Sequence, residues 1–73
     1  LDPRYAAAYN NRGIAYYNLG QYERAIVDYD AAIRLDSRYG FAYHNRGAAY
    51  QSLGQRQLAE IDFQKALEFG YTP

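Results

Sequence analysis

Apolar and polar positions alternate along this chain with the period of an α-helix. Tyr9, Gly13 and Tyr16 are spaced four and then three residues apart, and Ala25, Tyr29 and Ala32 show the same spacing. Residues so placed share one helical face. The pattern breaks at Leu19-Gly20 and Leu53-Gly54, where a glycine follows an apolar residue as it does past a helix C-terminus. It breaks again at Asp36-Ser37-Arg38, since Asp and Ser form local turns. Four helices are predicted, over 6–19, 22–35, 40–53 and 56–69. Pro3 stands just before the first, and Gly70 ends the last.

The second half of the pattern copies the first. Residues 1–39 laid on 35–73 agree at 17 of 39 positions. Asn11-Arg12-Gly13 falls on Asn45-Arg46-Gly47, Leu19-Gly20-Gln21 on Leu53-Gly54-Gln55, and Ala25, Asp28 and Ala32 on Ala59, Asp62 and Ala66. A fixed period of 34 residues means stacked supersecondary units, each burying an apolar face against the next. In each unit a small residue of the first helix (Gly13 or Gly47) meets one of the second (Ala25 or Ala59), and aromatic rings fill the flanks.

At these residues the repeat resembles the tetratricopeptide repeat, a helix-turn-helix unit. The first unit supplies Tyr9, Gly13, Tyr16, Gly20, Tyr22, Ala25, Tyr29 and Ala32. The second supplies Tyr43, Gly47, Tyr50, Gly54, Ala59, Phe63 and Ala66. Residues 1–5 look like the tail of a preceding repeat, followed by repeats at 6–39 and 40–73. The resemblance implies an all-α fold of tandem helix-turn-helix repeats, a fragment of a right-handed α-solenoid. Starting without Met and closing at Pro73, the chain reads as a piece of a longer array. It departs from the family pattern at Ser37, where a proline is usual, at Arg12 and Arg46, where leucine is usual, and at Arg56 and Glu60 in the last helix.

Composition narrows the function. Eight basic and eight acidic side chains are interspersed, giving zero formal charge. A nucleic-acid or membrane-surface binder needs a basic face, so neither partner is expected. Absence of cysteine removes disulfides and thiolate metal sites. No apolar run approaches the ~18 residues of a membrane span. One histidine, His44, has no second ligand in register, so no metal and no cofactor are expected. No nucleophile–base order or phosphate-cradling loop occurs, and the chain is not expected to be an enzyme.

In the resembled family the first helix of each unit lines a concave groove. Opposite the core face, that helix carries Asn10, Asn11, Ile14, Tyr17 and Asn18 in the first unit and Phe41, His44, Asn45 and Gln51 in the second. This surface is neutral, amide-rich and partly aromatic, which suits an extended peptide: an amide donates and accepts. Two roles are open for the equivalent Asn11 and Asn45, gripping a ligand backbone or bonding the neighbouring protein backbone. The family's clamp for a terminal carboxylate needs cations along this face; Ala7, Asn10, Ile14, Phe41, His44 and Ala48 provide none. The expected partner is therefore a protein or peptide segment of another kind.

Arg12 and Arg46 flank the core face, and Asp28 and Asp62 recur on the partner helices. An ion pair within each unit is the structural expectation, Arg12 to Asp28 and Arg46 to Asp62; solvated charges and ligand contacts are the alternatives. The ends carry a further expectation. Tyr5, Ala8 and Tyr9 at one end and Leu58, Ile61, Leu67 and Phe69 at the other leave apolar faces. Such faces complement each other as successive units do, so the alternative to peptide binding is a structural spacer or self-assembly segment, with homo-oligomers formed by end-to-end stacking or helix exchange and weakened by Arg56 and Glu60.

Overall fold

The computed structural model of the protein describes residues 3–72, apart from the side chain of Pro3. Four helices follow in order: α1 (Pro3–Asn18), α2 (Tyr22–Leu35), α3 (Gly40–Ser52) and α4 (Arg56–Glu68). No strand occurs among the described residues. The bounds of α2 are those of the periodicity, and α3 and α4 close one residue early. The start of α1 differs more. Pro3 is its first residue rather than the one before it, because proline presets φ there and its missing N–H would have no helical partner. Residues 3–5, read from the sequence as part of a preceding unit, are the first turn of α1. The rest of that tail, Leu1 and Asp2, lies outside the described residues, as does Pro73.

The first two glycine stops work alike. Gly20 and Gly54 hold φ of 76° and 78°, a left-handed conformation that L side chains rarely adopt. The chain then folds back on the helix. Gln21 N–H bonds Tyr16 C=O at 2.9 Å, and Gln55 N–H bonds Tyr50 C=O at 2.9 Å. Both satisfy carbonyls that a helix end leaves open. Between the units, Asp36 Oδ1 accepts from Arg38 N–H at 3.1 Å, and Tyr43 hydroxyl donates to Ser37 C=O at 2.9 Å.

α1 packs on α2 and α3 on α4; α2 packs on α3, and α1 also touches α3. Two buried clusters result. Ala25, Tyr29 and Ala49 form one, flanked by Tyr16, Tyr17, Tyr22 and Ile26. Ala6, Ala32 and Ala42 form the other, flanked by Ile33, Leu35 and Tyr39. Alanines at the crossings let helix axes approach, and the larger side chains close the sides. The tightest approach is at Gly13. A Cβ there would lie 2.5 Å from Cε1 of Tyr29, so the ring lies directly on the α1 backbone. Gly47 carries Phe63 in the same way, with a Cβ position 2.8 Å from Cε1.

The buried stripe of α1 is not the one its hydropathy indicates. Ala6, Asn10 and Gly13 are buried, whereas Tyr9 stays 37% exposed. Its equivalent Tyr43 is 6% exposed, because α3 has α2 on one side and α4 on the other. A helix that faces two neighbours buries a wider sector than one apolar stripe marks.

Candidate functional site

Ile14, Tyr17 and Asn18 of α1 face His44, Asn45 and Ala48 of α3 across a cleft of about 300 Å³, with Tyr29 of α2 in its wall. The cleft forms because α1 and α3 are both first helices of their units and lie side by side on one edge of the stack. Five residues expected on the groove face are thus brought together. Asn11, Phe41 and Gln51 are exposed and lie outside this cleft.

Asn10 occupies a different place from the one expected. It is buried at the junction of the two units, where its amide points to Tyr39 hydroxyl at 3.4 Å. Its Oδ1 accepts from Asn45 Nδ2 at 3.0 Å. The amide pair that spans the units is therefore Asn10 with Asn45, not the sequence-equivalent Asn11 with Asn45. Asn10 takes this role because α1 touches α3 there, and a buried amide needs partners. Asn45 keeps its carbonyl oxygen and one N–H beyond this bond.

Aromatic contacts bound the cleft along α3. His44 stacks on Tyr71 with ring centroids 4.1 Å apart and planes at 15°, and lies 5.3 Å from Phe63. Tyr71 in turn meets Phe41 edge-on at 5.2 Å. Burial holds the His44 imidazole below its ordinary pKa, so it is neutral near pH 7. Two helical turns further on, Tyr17 hydroxyl and Ser52 Oγ are 3.4 Å apart, and Tyr17 meets Tyr22 at 5.1 Å. Tyr71 was not singled out from the sequence. Gly70, with φ of 90°, returns the chain so that Tyr71 N–H bonds Ala66 C=O at 2.9 Å and the ring reaches α3. Leu35-Asp36-Ser37 of the first unit recurs as Phe69-Gly70-Tyr71, and that change was the available clue.

No charged side chain lines the cleft. No cluster of three His, Cys, Asp or Glu suited to a metal occurs among the described residues. No helix of the described chain is long and apolar enough to cross a membrane. The arrangement offers amides, hydroxyls, an imidazole and aromatic rings, groups that can recognise a ligand. Residues 6–39, and then residues 42–69, match the tetratricopeptide repeat family. The chain belongs to the tetratricopeptide repeat family. No curated protein matches it. Tetratricopeptide repeats are generally protein–protein interaction modules and typically non-catalytic scaffolds.

The arginines that replace the usual leucine of a tetratricopeptide repeat are tied to acids. Arg12 Nε and Nη2 each donate to one oxygen of Asp28, both at 2.8 Å. Arg46 Nε and Nη2 hold Asp62 identically at 2.8 Å, and its Nη1 reaches Asp30 of α2, also at 2.8 Å. Both guanidinium pKa values are raised, chiefly by the hydrogen bond to the unit's own aspartate, so both remain cations. Arg46 also lies over the rings of Tyr43 and Tyr50 at 5.6 and 5.9 Å. Its side chain is 20% exposed; that of Arg12 is 61% exposed. The second carboxylate of Arg46 was not expected, since Asp30 recurs in the other unit as Gln64 and the repeat hides it.

Proposed function

We propose that these two repeats bind an extended segment of a partner protein in the cleft between α1 and α3. The observation that carries this is the neutral, uncapped lining: Ile14 and Ala48 provide apolar contact, and Asn18 and Asn45 provide donors and acceptors without selecting a charge. Asn11, Phe41 and Gln51 extend the contact on the exposed faces of the same two helices. Asn10 supports the cleft from beneath through Asn45. Selecting peptides from a random display library on the immobilised domain, then mapping a winner by amide shifts, tests this reading. Shifts at Ile14, Asn18, Asn45 and Ala48 support it. Shifts restricted to α2 and α4, or no selectable peptide, reject it.

One observation favours a second reading, stacking between copies. Tyr5, Ala8, Tyr9 and Arg12 of α1, with Leu35, border an open apolar hollow of about 480 Å³. Their equivalents Ala42 and Tyr43 are buried in the second unit, so this face is shaped for a helix of the α2 kind. The corresponding residues of α4 are Arg56, Glu60, Gln64 and Leu67, the equivalents of Tyr22, Ile26, Asp30 and Ile33 where α2 meets α3, so that end is mostly polar. Sedimentation at rising concentration separates the two readings: stacking shows mass growth without peptide, groove binding does not require it.

A further inference from the structure

The least expected feature of the cleft is in its wall. Tyr29 is 1% exposed, and its ring is pressed against Gly13, where a Cβ would come within 2.5 Å of Cε1 and 3.1 Å of Cζ. Its side chain makes no hydrogen bond among the described residues, although the buried Asn10, Asp28 and Asp62 are all satisfied. Yet no fully enclosed side-chain oxygen or nitrogen there lacks a partner. The hydroxyl is therefore not sealed in. Tyr29 is one of the residues that line the α1–α3 cleft.

Nothing in the packing calls for that oxygen. Phe63 occupies the equivalent position in the second unit, on Gly47, and a hydrocarbon ring fills the space there. A buried hydroxyl without a protein partner lowers stability relative to a phenyl ring of the same shape. From its rigid mounting, its lack of an internal partner and its position beside Asn18 and Asn45, we infer that the Tyr29 hydroxyl is a ligand-recognition group, which donates to an amide carbonyl of the bound segment. This rests on the groove reading above and narrows it.

The chemistry of the surroundings selects the ligand group. Burial pushes the phenol pKa up to about 12, with smaller contributions from Tyr17 and Asp28, so the group is a donor throughout the neutral range. A ligand carboxylate would have the donor but no cation in the cleft to offset its loss of water, and a ligand ammonium would meet no anion. An amide has no charge to desolvate. Its carbonyl accepts a hydrogen bond from the Tyr29 hydroxyl, and its N–H has the free carbonyl of Asn45 or Asn18 to meet. The favoured side chain is glutamine or asparagine, with the methylene stem against Ile14 and Ala48.

The test uses the whole chain and the Tyr29→Phe variant, titrated with blocked glutamine (acetyl-Gln-methylamide) and its blocked glutamate counterpart, read by amide shifts. For the wild type, shifts at Ile14, Asn45 and Ala48 should saturate at lower concentration with the glutamine probe. In Tyr29→Phe that preference should shrink by roughly three- to tenfold, the worth of one neutral hydrogen bond. The melting temperature of the variant should be unchanged or raised. Equal response to both probes in the wild type, or an undiminished preference in the variant, overturns the inference but leaves groove binding standing. Cleft residues silent to every probe overturn both. Failure of Tyr29→Phe to fold would show the hydroxyl to be structural and also overturn it; the Cζ shift of Tyr29 in the wild type, which must move with the glutamine probe, provides a readout free of substitution.

Discussion

Asn10 and Asn45 show how one hydrogen bond changes what a residue is for. Both amides look like groove side chains by spacing, but Asn10 is buried and depends on Asn45. Asn45→Ala removes the donor to Asn10 Oδ1 and should destabilise the domain by about 1–3 kcal/mol. Asn11→Ala, on an exposed position, should change stability by less than ~0.5 kcal/mol. Urea melts of the two variants check the contrast, and equal losses would contradict it. His44 gives a pH signature. Its folded-state pKa lies below the ordinary 6.5, so the unfolded chain binds the proton more readily. The stack on Tyr71 and Phe63 therefore contributes fully above pH 6.5, and stability declines as pH falls from there through the folded value. Melting temperatures at pH 7 and pH 5.5 should differ more for the wild type than for His44→Phe. What the sequence concealed at this scale was polar burial. Hydropathy marks Tyr9 as core and Asn10 as surface; α3 beside α1 buries Asn10, and Tyr9 stays half-open because α1 has no neighbour placed as α2 is against α3.

The elements themselves were largely legible. The ends of α1, α3 and α4 follow from glycines that local backbone geometry demands, that of α2 from the turn formers Asp36 and Ser37, and the inner faces of α2 and α4 follow from Ala25, Tyr29, Ala32, Ala59 and Ala66. The pairing of Arg46 with Asp62 follows from a recurrent charge at fixed register, but its reach to Asp30 does not, because no repeat of that contact exists to be seen. Arg46 consequently joins three helices: α2, α3 and α4. Arg46→Ala leaves the 2%-exposed Asp62 carboxylate without its counter-charge and should cost about 3–5 kcal/mol, enough to unfold a domain of this size. Asp30→Ala removes only the half-open arm and should cost about 1 kcal/mol or less. Arg12→Ala should fall between them, since solvent reaches the open guanidinium site and relieves Asp28 in part. Denaturation midpoints in that order support the hub; Asp30→Ala as damaging as Arg46→Ala would not fit.

At the scale of the molecule the asymmetry between equivalent residues defines the ends. The Arg46 tie to Asp30 shows what a helix laid on α1 would need: a carboxylate opposite Arg12. In head-to-tail stacking, α4 of one copy would present Gln64 at that point, the equivalent of Asp30. Gln64→Asp should therefore strengthen association between copies, increasingly so at low salt, by equilibrium sedimentation. The variant at unchanged mass across a concentration series would remove the stacking reading. The apolar face at Tyr5, Ala8 and Tyr9 is legible from the repeat, but the depth of the cleft at Tyr29 is not, since it depends on which helices lie alongside which.

The arginine–aspartate ties have a consequence for time as well as strength. Arg12 to Asp28, Asp30 to Arg46 and Arg46 to Asp62 each span 16 residues of sequence. No tie waits for distant ends of the chain to meet, and each closes a loop of the same modest entropy. Together they run along the chain like successive teeth, each closing its own stretch of sequence next to the one before. A topology so local should collapse to the native state in microseconds to milliseconds, with unfolding as the step through which most substitutions are felt.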